Sequence, residues 1–379
     1  MESKLKFKEP ILVTQPILPD FNKYCSTIHK VWDNKWLTNS GPLNKEFEEK
    51  VKVYLGVNNI SSFVNGHLSL EIAIKALGLT GEIITTPFTF VSTTNAILNC
   101  GLTPVFCDIS PETYTIDCDK IESFITEKTS AILAVHVYGN PCDVYKIDKI
   151  AKKHNLKVIY DAAHAFGVKI NNIGIGNFGD ISMFSLHATK VFNSIEGGLL
   201  SFRDKKLKRK LESLRNFGIT SSETIEYIGT NAKMNEFQSA MGICNLKNLN
   251  EKIFAREKIV EKYREGLKSI NGVYLLNIDN STVKQNYAYF PILINEKEFG
   301  MSRDELHDKL KEYNVITRKY FYPLCNKIIT YESNYNTPIA EKISNNILVL
   351  PLYADLSLEN VSQIIDIIYD IYYDQSDTK

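Results

Sequence analysis

The chain lacks an excess of either charge, because its 44 lysines and arginines balance 44 aspartates and glutamates. Without a basic excess, the sequence does not favour nucleic acid or an anionic membrane as a partner. Its apolar runs fall short of the roughly 20 residues that a membrane helix needs. The first six residues contain no apolar stretch of signal-peptide length. These features predict a cytoplasmic protein with no membrane contact.

The seven cysteines are scattered, and no two of them have the CxxC spacing typical of zinc or redox sites. This pattern favours free thiols in a reducing compartment over disulfides. The sequence therefore predicts no metal site. It also shows no internal repeat and no low-complexity segment, and 379 residues predict two domains.

Short apolar runs alternate with longer mixed segments between about residues 83 and 202. Several runs are continuous rather than alternating, as in strands that are covered on both faces of a sheet. Helices are predicted between them, among others at 119–126 and 144–154. The pattern predicts an α/β fold with a mainly parallel sheet. The predicted strands are 82–85, 104–108, 131–136, 158–160, 181–185 and 198–202.

The pattern changes near residue 246, where apolar residues at helical spacing run through a charged segment to residue 267. A strand at 287–294 and helices at 305–313 and 358–372 are predicted to follow. These elements predict a smaller C-terminal α+β domain over residues 246–379, packed on a large domain over residues 1–245.

Lys190 is the most informative residue, and it follows Asp161 by 29 positions. Asp161 ends an apolar strand and Lys190 lies in the loop after the next one, so the two side chains can meet on one side of a sheet. Such a pair suits pyridoxal 5′-phosphate (PLP): the lysine forms a Schiff base and the carboxylate keeps the pyridine nitrogen protonated. A strand-end aspartate and an unrelated loop lysine would look the same, so the pair alone leaves both interpretations open.

Other residues fit the same cofactor. Gly66 precedes a helix predicted at 70–77, where free N–H groups at a helix start can hold a phosphate, and Ser185 offers a second donor. Phe90 follows a strand and could stack on a pyridine ring, and His164 could line the hydroxyl side of that ring. Each also fits an ordinary role: a capped helix start, a strand-end hydroxyl, a core aromatic or a packing histidine.

A glycine motif at residues 174–179 matches Gly-x-Gly-x-x-Gly, the dinucleotide fingerprint. That fingerprint needs a strand before it and a helix after it. Here two asparagines precede the motif and a predicted strand follows it. The glycines are therefore predicted to form turns, and NAD binding is not expected.

Taken together, these residues resemble the DegT/DnrJ/EryC1/StrS family, which are sugar-nucleotide aminotransferases that use PLP and have the aspartate-aminotransferase fold. The resemblance covers nearly the whole chain. It depends on ordered motifs at 36–42, 65–66, 87–90, 136–139, 161–165, 185–190, 196–198, 229–234, 318–321 and 350–352.

The resemblance implies a role for each residue at the ring. Lys190 carries the Schiff base with PLP, and Asp161 pairs with the pyridine nitrogen. Phe90 takes the stacking position, and His164 lies near the ring hydroxyl. Catalysis is assigned to Lys190, Asp161 and His164.

The resemblance also implies how the phosphate is held: by Gly66, by the backbone N–H of His67, by Ser185, and by Asn231 reaching across from the second subunit. The active unit is therefore expected to be a homodimer with shared active sites. Family members often have threonine in place of His67, and that hydroxyl is missing here. They also often have histidine in place of Cys325.

The segment before the lysine, residues 187–190, reads His-Ala-Thr-Lys and resembles members that aminate C-4 of the sugar. It implies L-glutamate as donor and dTDP-4-keto-6-deoxy-D-glucose as acceptor, for an amino sugar of a surface polysaccharide such as O-antigen. Alternatives are a C-3 aminotransferase acting on a dTDP-3-keto-6-deoxyhexose, a PLP-dependent sugar dehydratase and a non-catalytic regulatory homologue. The presence of Lys190 disfavours the last two. Arg318 and Lys233 are candidate substrate contacts or structural ion pairs.

Overall fold

The computed structural model describes residues 5–277, 281–328 and 335–376. Its helices are α1 (Phe21–Asn34), α2 (Pro42–Leu55), α3 (Gly66–Leu77), α4 (Val91–Asn99), α5 (Val144–His154), α6 (Leu207–Leu214), α7 (Glu236–Leu246), α8 (Leu249–Leu267), α9 (Glu296–Phe299), α10 (Arg303–Glu312), α11 (Pro338–Asn346) and α12 (Leu358–Ser376). Its strands are β1 (Ile60–Phe63), β2 (Glu82–Thr85), β3 (Thr103–Phe106), β4 (Thr129–Val135), β5 (Lys157–Asp161), β6 (Lys169–Ile170), β7 (Ile173–Gly174), β8 (Ile181–Ser185), β9 (Gly198–Phe202), β10 (Ile219–Ser221), β11 (Thr224–Ile225), β12 (Val273–Leu275), β13 (Val283–Lys284), β14 (Phe290–Ile294) and β15 (Ile347–Leu350).

A seven-stranded sheet of order β1-β9-β8-β5-β4-β2-β3 forms the centre of the larger part of the chain. The strands β8, β5, β4, β2 and β3 run parallel to one another, whereas β9 is antiparallel to both β1 and β8. Successive residues of β4 alternate between two apolar clusters, one on each face of the sheet. Burial on both faces explains why the strands read as continuous apolar runs. The α/β fold with a mainly parallel sheet is confirmed.

The helix predicted at 144–154 is confirmed as α5, and its ends have clear physical causes. The Asp143 carboxylate accepts a hydrogen bond from the Lys146 N–H at 3.0 Å, which caps the N-terminus. Asn155 adopts a left-handed conformation and ends the helix.

The α-helix predicted at 119–126 is wrong, because only a 3-10 turn over Ile121–Phe124 forms there. Side chains compete with the helical pattern at both ends of this segment. The Asp117 carboxylate takes the Asp119 N–H, and the Thr129 hydroxyl takes the Thr126 N–H. The segment therefore closes into short turns.

Other short segments also differ from the sequence-based expectation. The strand predicted at 287–294 begins only at Phe290, because Tyr287 has a positive φ of 53° that an extended strand does not allow. The edge strand β1 was not predicted, since its four residues contain two serines and read as a polar segment. In the glycine motif at 174–179, Gly174 ends the short strand β7, Gly176 lies in a 3-10 turn and Gly179 in a bend, and β8 follows.

The C-terminal part is built on the antiparallel sheet β12-β14-β15, against which α8, α10 and α12 enclose their own apolar cluster. The first described residues join this cluster: Phe7 is buried there, and its N–H bonds the Tyr313 carbonyl at 3.2 Å. Helix α7 packs on α1 and α2, whereas α8 packs on α12. A boundary between domains near residue 246 stays a prediction.

Among residues 5–277, 281–328 and 335–376, none of the helices combines the length and the apolar character needed to cross a membrane.

Candidate active site

A cavity of about 290 Å³ opens at the carboxyl ends of β4, β5 and β8, where open α/β sheets usually bind ligands. The structure brings most of the predicted site residues into its wall. They are Gly66, His67, Phe90, Asp161, His164, Ser185, Lys190 and Arg318.

Asp161 is the last residue of β5 and is only 5% exposed. Its Oδ2 accepts a hydrogen bond from the Thr93 hydroxyl at 2.7 Å, and its Oδ1 accepts one from the Ala163 N–H at 3.0 Å. Burial raises the pKa of Asp161, and these two hydrogen bonds and the charge of Lys190 oppose that rise. The carboxylate is thus fixed in direction, and Asp161 and Lys190 line the same cavity.

Lys190 lies in the loop after β8, where its N–H bonds the His187 carbonyl at 2.9 Å and closes a turn. Its Nζ lies 6.0 Å from the centre of the Tyr289 ring. Enclosure by protein lowers the pKa of this amine, and the positive charge of Arg318 lowers it further, while Tyr320 and Asp161 act in the opposite direction. A larger fraction of the amine is therefore uncharged and nucleophilic near neutral pH than for an ordinary lysine.

This lowered pKa gives a test by pH. Only the uncharged amine can attack an aldehyde, so the rate at which PLP attaches to the cofactor-free protein should rise with pH and level off above the pKa of Lys190. We expect the midpoint to lie below the ordinary lysine value of about 10.4. Arg318→Gln removes a repelling charge and should move the midpoint up, whereas Asp161→Asn removes an attracting charge and should move it down. Stopped-flow absorbance, with a free lysine derivative as control for the titration of PLP itself, measures these midpoints. Identical midpoints in all three proteins would contradict this electrostatic account.

The N-terminus of α3 and the end of β8 form a narrow cradle beside the lysine. The Asn65 side chain accepts the Leu68 N–H at 2.9 Å, which leaves the N–H groups of Gly66 and His67 at the helix start for a ligand. A Cβ at position 66 would lie 3.2 Å from the Cβ of Ser185. Glycine therefore favours this close approach, and the N–H groups and the helix dipole suit a phosphate.

His164 is buried, and its Nδ1 accepts a hydrogen bond from the Tyr138 N–H at 3.2 Å. Burial holds the pKa of His164 well below its usual value, with further lowering by Lys190 and Arg318. The neutral ring therefore carries its proton on Nε2, as a hydrogen-bond donor. Phe90, at the N-cap of α4, is 47% exposed, so its ring is open to a ligand at the cavity wall.

Two predicted residues lie away from this cavity. Asn231 is exposed and pairs with Asn216 in an isolated bridge. The Lys233 amine bonds the Asn216 side chain at 2.8 Å and lies over the Phe217 ring, in the wall of a separate cleft of about 960 Å³. Within one chain, neither residue contributes to the cavity around Lys190.

Sequence reasoning did not assign roles to several residues at the site. Tyr320 lines the cavity under the Arg318 guanidinium, which lies 4.2 Å from the centre of its ring. Glu196 stands at the cavity wall, where its carboxylate lies 3.4 Å from the His187 ring. Thr93, in the first turn of α4, bonds Asp161. Thr93 and Tyr320 resemble ordinary core side chains until the fold is known.

The donor set of the cavity fits PLP. It contains an amine of lowered pKa, a fixed carboxylate, a neutral imidazole that donates, an exposed aromatic ring and an N-terminal helix cradle for a phosphate. Glycine at residue 66 lets the start of α3 lie close to Ser185, and this arrangement is the observation that most directly matches a bound phosphate group.

Comparison with known proteins agrees with this geometry. A model of the DegT/DnrJ/EryC1/StrS aminotransferase family matches residues 21–369. The dTDP-4-amino-4,6-dideoxy-D-glucose transaminase of Shigella dysenteriae is 42% identical over 367 residues, which cover 96% of this chain and 100% of that protein. The Escherichia coli protein of the same name is 44% identical over 360 residues, covering 93% and 96%.

A solved structure, a crystal structure of DesI in the presence of its TDP-sugar product, matches with a TM-score of 0.94. It is 34% identical, and the match covers 98% of this chain and 96% of that one. The expected fold class and family resemblance are thereby confirmed. The chain belongs to the DegT/DnrJ/EryC1/StrS aminotransferase family, and it is a PLP-dependent sugar aminotransferase.

Proposed function

We propose that this enzyme transfers the amino group of L-glutamate to C-4 of dTDP-4-keto-6-deoxy-D-glucose and forms dTDP-4-amino-4,6-dideoxy-D-glucose. The single observation that carries the aminotransfer is the placement of Lys190 and Asp161 in one cavity beside the α3 cradle. The choice of acceptor is supported by the names of the two relatives that are 42% and 44% identical. The segment His187-Ala188-Thr189-Lys190 points to the same acceptor.

We propose the following roles for the residues of the cavity. Gly66, the His67 N–H and Ser185 hold the phosphate, Phe90 packs on the ring, and His164 donates from Nε2 to the ring hydroxyl. When bound, PLP supplies an electron sink that takes up the electron pair left by a broken Cα–H bond.

Lys190 is the proton carrier in this scheme. Its Nζ, whose pKa burial lowers, removes the proton from Cα of glutamate and later returns a proton to C-4 of the sugar. Asp161 stays ionised and keeps a proton on the pyridine nitrogen. Burial favours the uncharged form of both groups, but at Asp161 the hydrogen bonds from Thr93 and Ala163 oppose that effect and support the ionised carboxylate.

Arg318 supplies a positive charge for a substrate anion. Among the described residues it forms no ion pair, and its guanidinium stacks on Tyr320 in the cavity wall. The carboxylate of glutamate and the pyrophosphate of the sugar nucleotide are its two candidate partners. The effect of Arg318→Gln on the KM of each substrate distinguishes them.

We also propose that the active unit is a homodimer in which Asn231 reaches the phosphate in the neighbouring subunit. Asn231 is exposed at the base of the segment 217–228, which displays Phe217, Ile225 and Ile228, the last of them 93% exposed. Such an apolar surface is typical of a subunit interface. Light scattering should show twice the chain mass of 43.1 kDa, and an active monomer would contradict the proposal. A cytoplasmic location stays a prediction.

A panel of acceptors tests the proposed substrate. With L-glutamate as donor, we expect kcat/KM to be highest for dTDP-4-keto-6-deoxy-D-glucose. It should exceed kcat/KM for the 3-keto isomer and for GDP-4-keto-6-deoxy-D-mannose by about tenfold or more, because a pocket discriminates by at least that factor against a substrate with one group in the wrong position. Mass and NMR identify each product. Preference for the 3-keto isomer would favour the C-3 alternative, and glutamate consumption without sugar amination would overturn the acceptor.

A further inference from the structure

Two buried threonines of the α4 region form a chain of hydroxyl groups that ends on Asp161. Thr93 is completely buried, and its hydroxyl donates to Asp161 Oδ2 at 2.7 Å. Thr89, four residues earlier and 3% exposed, places its hydroxyl 2.8 Å from that of Thr93. We propose that Thr93, supported by Thr89, is a positioning residue that holds the Asp161 carboxylate ionised and aimed at the pyridine nitrogen of PLP. This rests on the role proposed above for Asp161.

The direction of the protons follows from hydrogen-bond chemistry. An ionised carboxylate only accepts, and a hydroxyl has a single proton to donate. Because the Thr93 proton is committed to Asp161, the contact between the two hydroxyls requires Thr89 to donate to Thr93. The chain therefore runs one way, from Thr89 to Thr93 to Asp161, and each donor strengthens the next.

The chain of hydroxyl groups favours the ionised form of the Asp161 carboxyl. A proton on Oδ2 would force the Thr93 hydroxyl to turn its own proton away from Asp161, and Oδ1 already accepts the Ala163 N–H at 3.0 Å. Burial alone raises the pKa of Asp161, and the Thr93 hydrogen bond is the largest of the opposing effects. Thr93 does not line the cavity, so it acts on the cofactor only through Asp161.

The C-terminal part of the chain contacts the segment that carries Thr89. The Cys325 N–H bonds the Pro87 carbonyl at 3.1 Å, and its thiol bonds the Thr89 carbonyl at 3.4 Å. These contacts hold the segment before α4 in place. The backbone at Thr89 is thus held by contacts from outside the helix that carries Thr93.

Thr93→Val tests the proposal, since it keeps the shape and removes the hydroxyl, and Thr93→Ser restores the hydroxyl. The readout is the ¹⁵N chemical shift of PLP labelled at the pyridine nitrogen, bound to each protein. We expect the wild type and Thr93→Ser to show a protonated nitrogen, and Thr93→Val to shift towards the unprotonated form. Amino transfer from glutamate should fall by about 10- to 100-fold in Thr93→Val, the range for loss of a hydrogen bond to a charged group.

Two further variants complete the design. Thr89→Val should shift the ¹⁵N signal in the same direction by less, because Thr93 still donates. Thr85→Val is the matched control: Thr85 is also completely buried, but its hydroxyl has no partner among the described residues, so its ¹⁵N signal should equal that of the wild type.

The outcomes separate the two proposals. A protonated nitrogen in the wild type with the same signal in Thr93→Val and Thr89→Val would overturn the threonine chain and leave the role of Asp161 intact. An unprotonated nitrogen in the wild type would overturn the role of Asp161 and the chain together. Neither result depends on which sugar the enzyme accepts.

Discussion

Replacing Lys190 with alanine should abolish amino transfer while PLP still binds, now without a covalent link. A general acid–base group contributes roughly 10²- to 10⁴-fold to a rate, and in the proposed mechanism Lys190 moves a proton in both halves of the reaction. We therefore expect kcat to fall by at least about 10³-fold. The cradle at Gly66 and Ser185 and the carboxylate of Asp161 stay in place, which explains the retained binding.

Mass spectrometry after borohydride reduction shows whether PLP is attached, and equilibrium dialysis shows whether it is bound. Lys284→Ala, which removes an exposed lysine from the small strand β13, is the matched control and should behave as the wild type. A small primary amine added to Lys190→Ala should restore part of the rate, because it replaces the missing base. Turnover of Lys190→Ala at the wild-type rate would refute the proposed mechanism.

Replacing Asp161 with asparagine should cost at least about 100-fold in kcat, although the two side chains have nearly the same size. An amide carries no charge to keep the pyridine nitrogen protonated. The carboxylate offers one oxygen to the Thr93 hydroxyl and the other to the Ala163 N–H, whereas an amide has a single oxygen. One of these two donors therefore loses its acceptor. PLP should remain attached, because the exchange leaves the Lys190 amine that forms the link in place.

Asp108→Asn provides the contrast, because Asp108 is an equally buried carboxylate with a structural role. It accepts the N–H groups of Ile339 at 3.1 Å and Ala340 at 2.9 Å, at the start of α11. Its exchange should lower Tm by a few degrees and leave kcat of the folded protein unchanged. Asp161→Asn also removes an acceptor from a buried donor, so its Tm should fall by a similar amount, but its kcat should fall as well. Equal kcat in wild type and Asp161→Asn would contradict the role of this carboxylate.

The sheet was predicted well where strands are buried on both faces, because continuous apolar runs such as 181–185 and 198–202 are typical of such strands. The antiparallel direction of β9 could not be predicted, because strand direction depends on the path of the loop and leaves no trace in the apolar pattern. Short polar strands such as β1 were missed for a related reason: they are stabilised by their neighbours, and their own residues carry a weak signal.

The candidate site likewise contains residues that could be predicted from the sequence and residues that could not. Lys190, Asp161 and Gly66 could be predicted to line one cavity because their chemistry is distinctive and they follow predicted strands or precede a predicted helix. Thr93 was not, because a threonine in an apolar helix looks like an ordinary core residue until the fold places its hydroxyl 2.7 Å from Asp161. In the proposed dimer, the phosphate that Asn231 reaches belongs to the other subunit, and spacing within one sequence does not describe such a contact.

Transfer of a labelled nitrogen tests the central claim most directly. The PLP-loaded enzyme is mixed with ¹⁵N-labelled L-glutamate and dTDP-4-keto-6-deoxy-D-glucose, and the products are identified by NMR. The proposed function predicts ¹⁵N bonded to C-4 of a 4-amino-4,6-dideoxy sugar and one 2-oxoglutarate for each amino sugar formed. Label released as ammonia, or an acceptor recovered without nitrogen while glutamate is consumed, would contradict it.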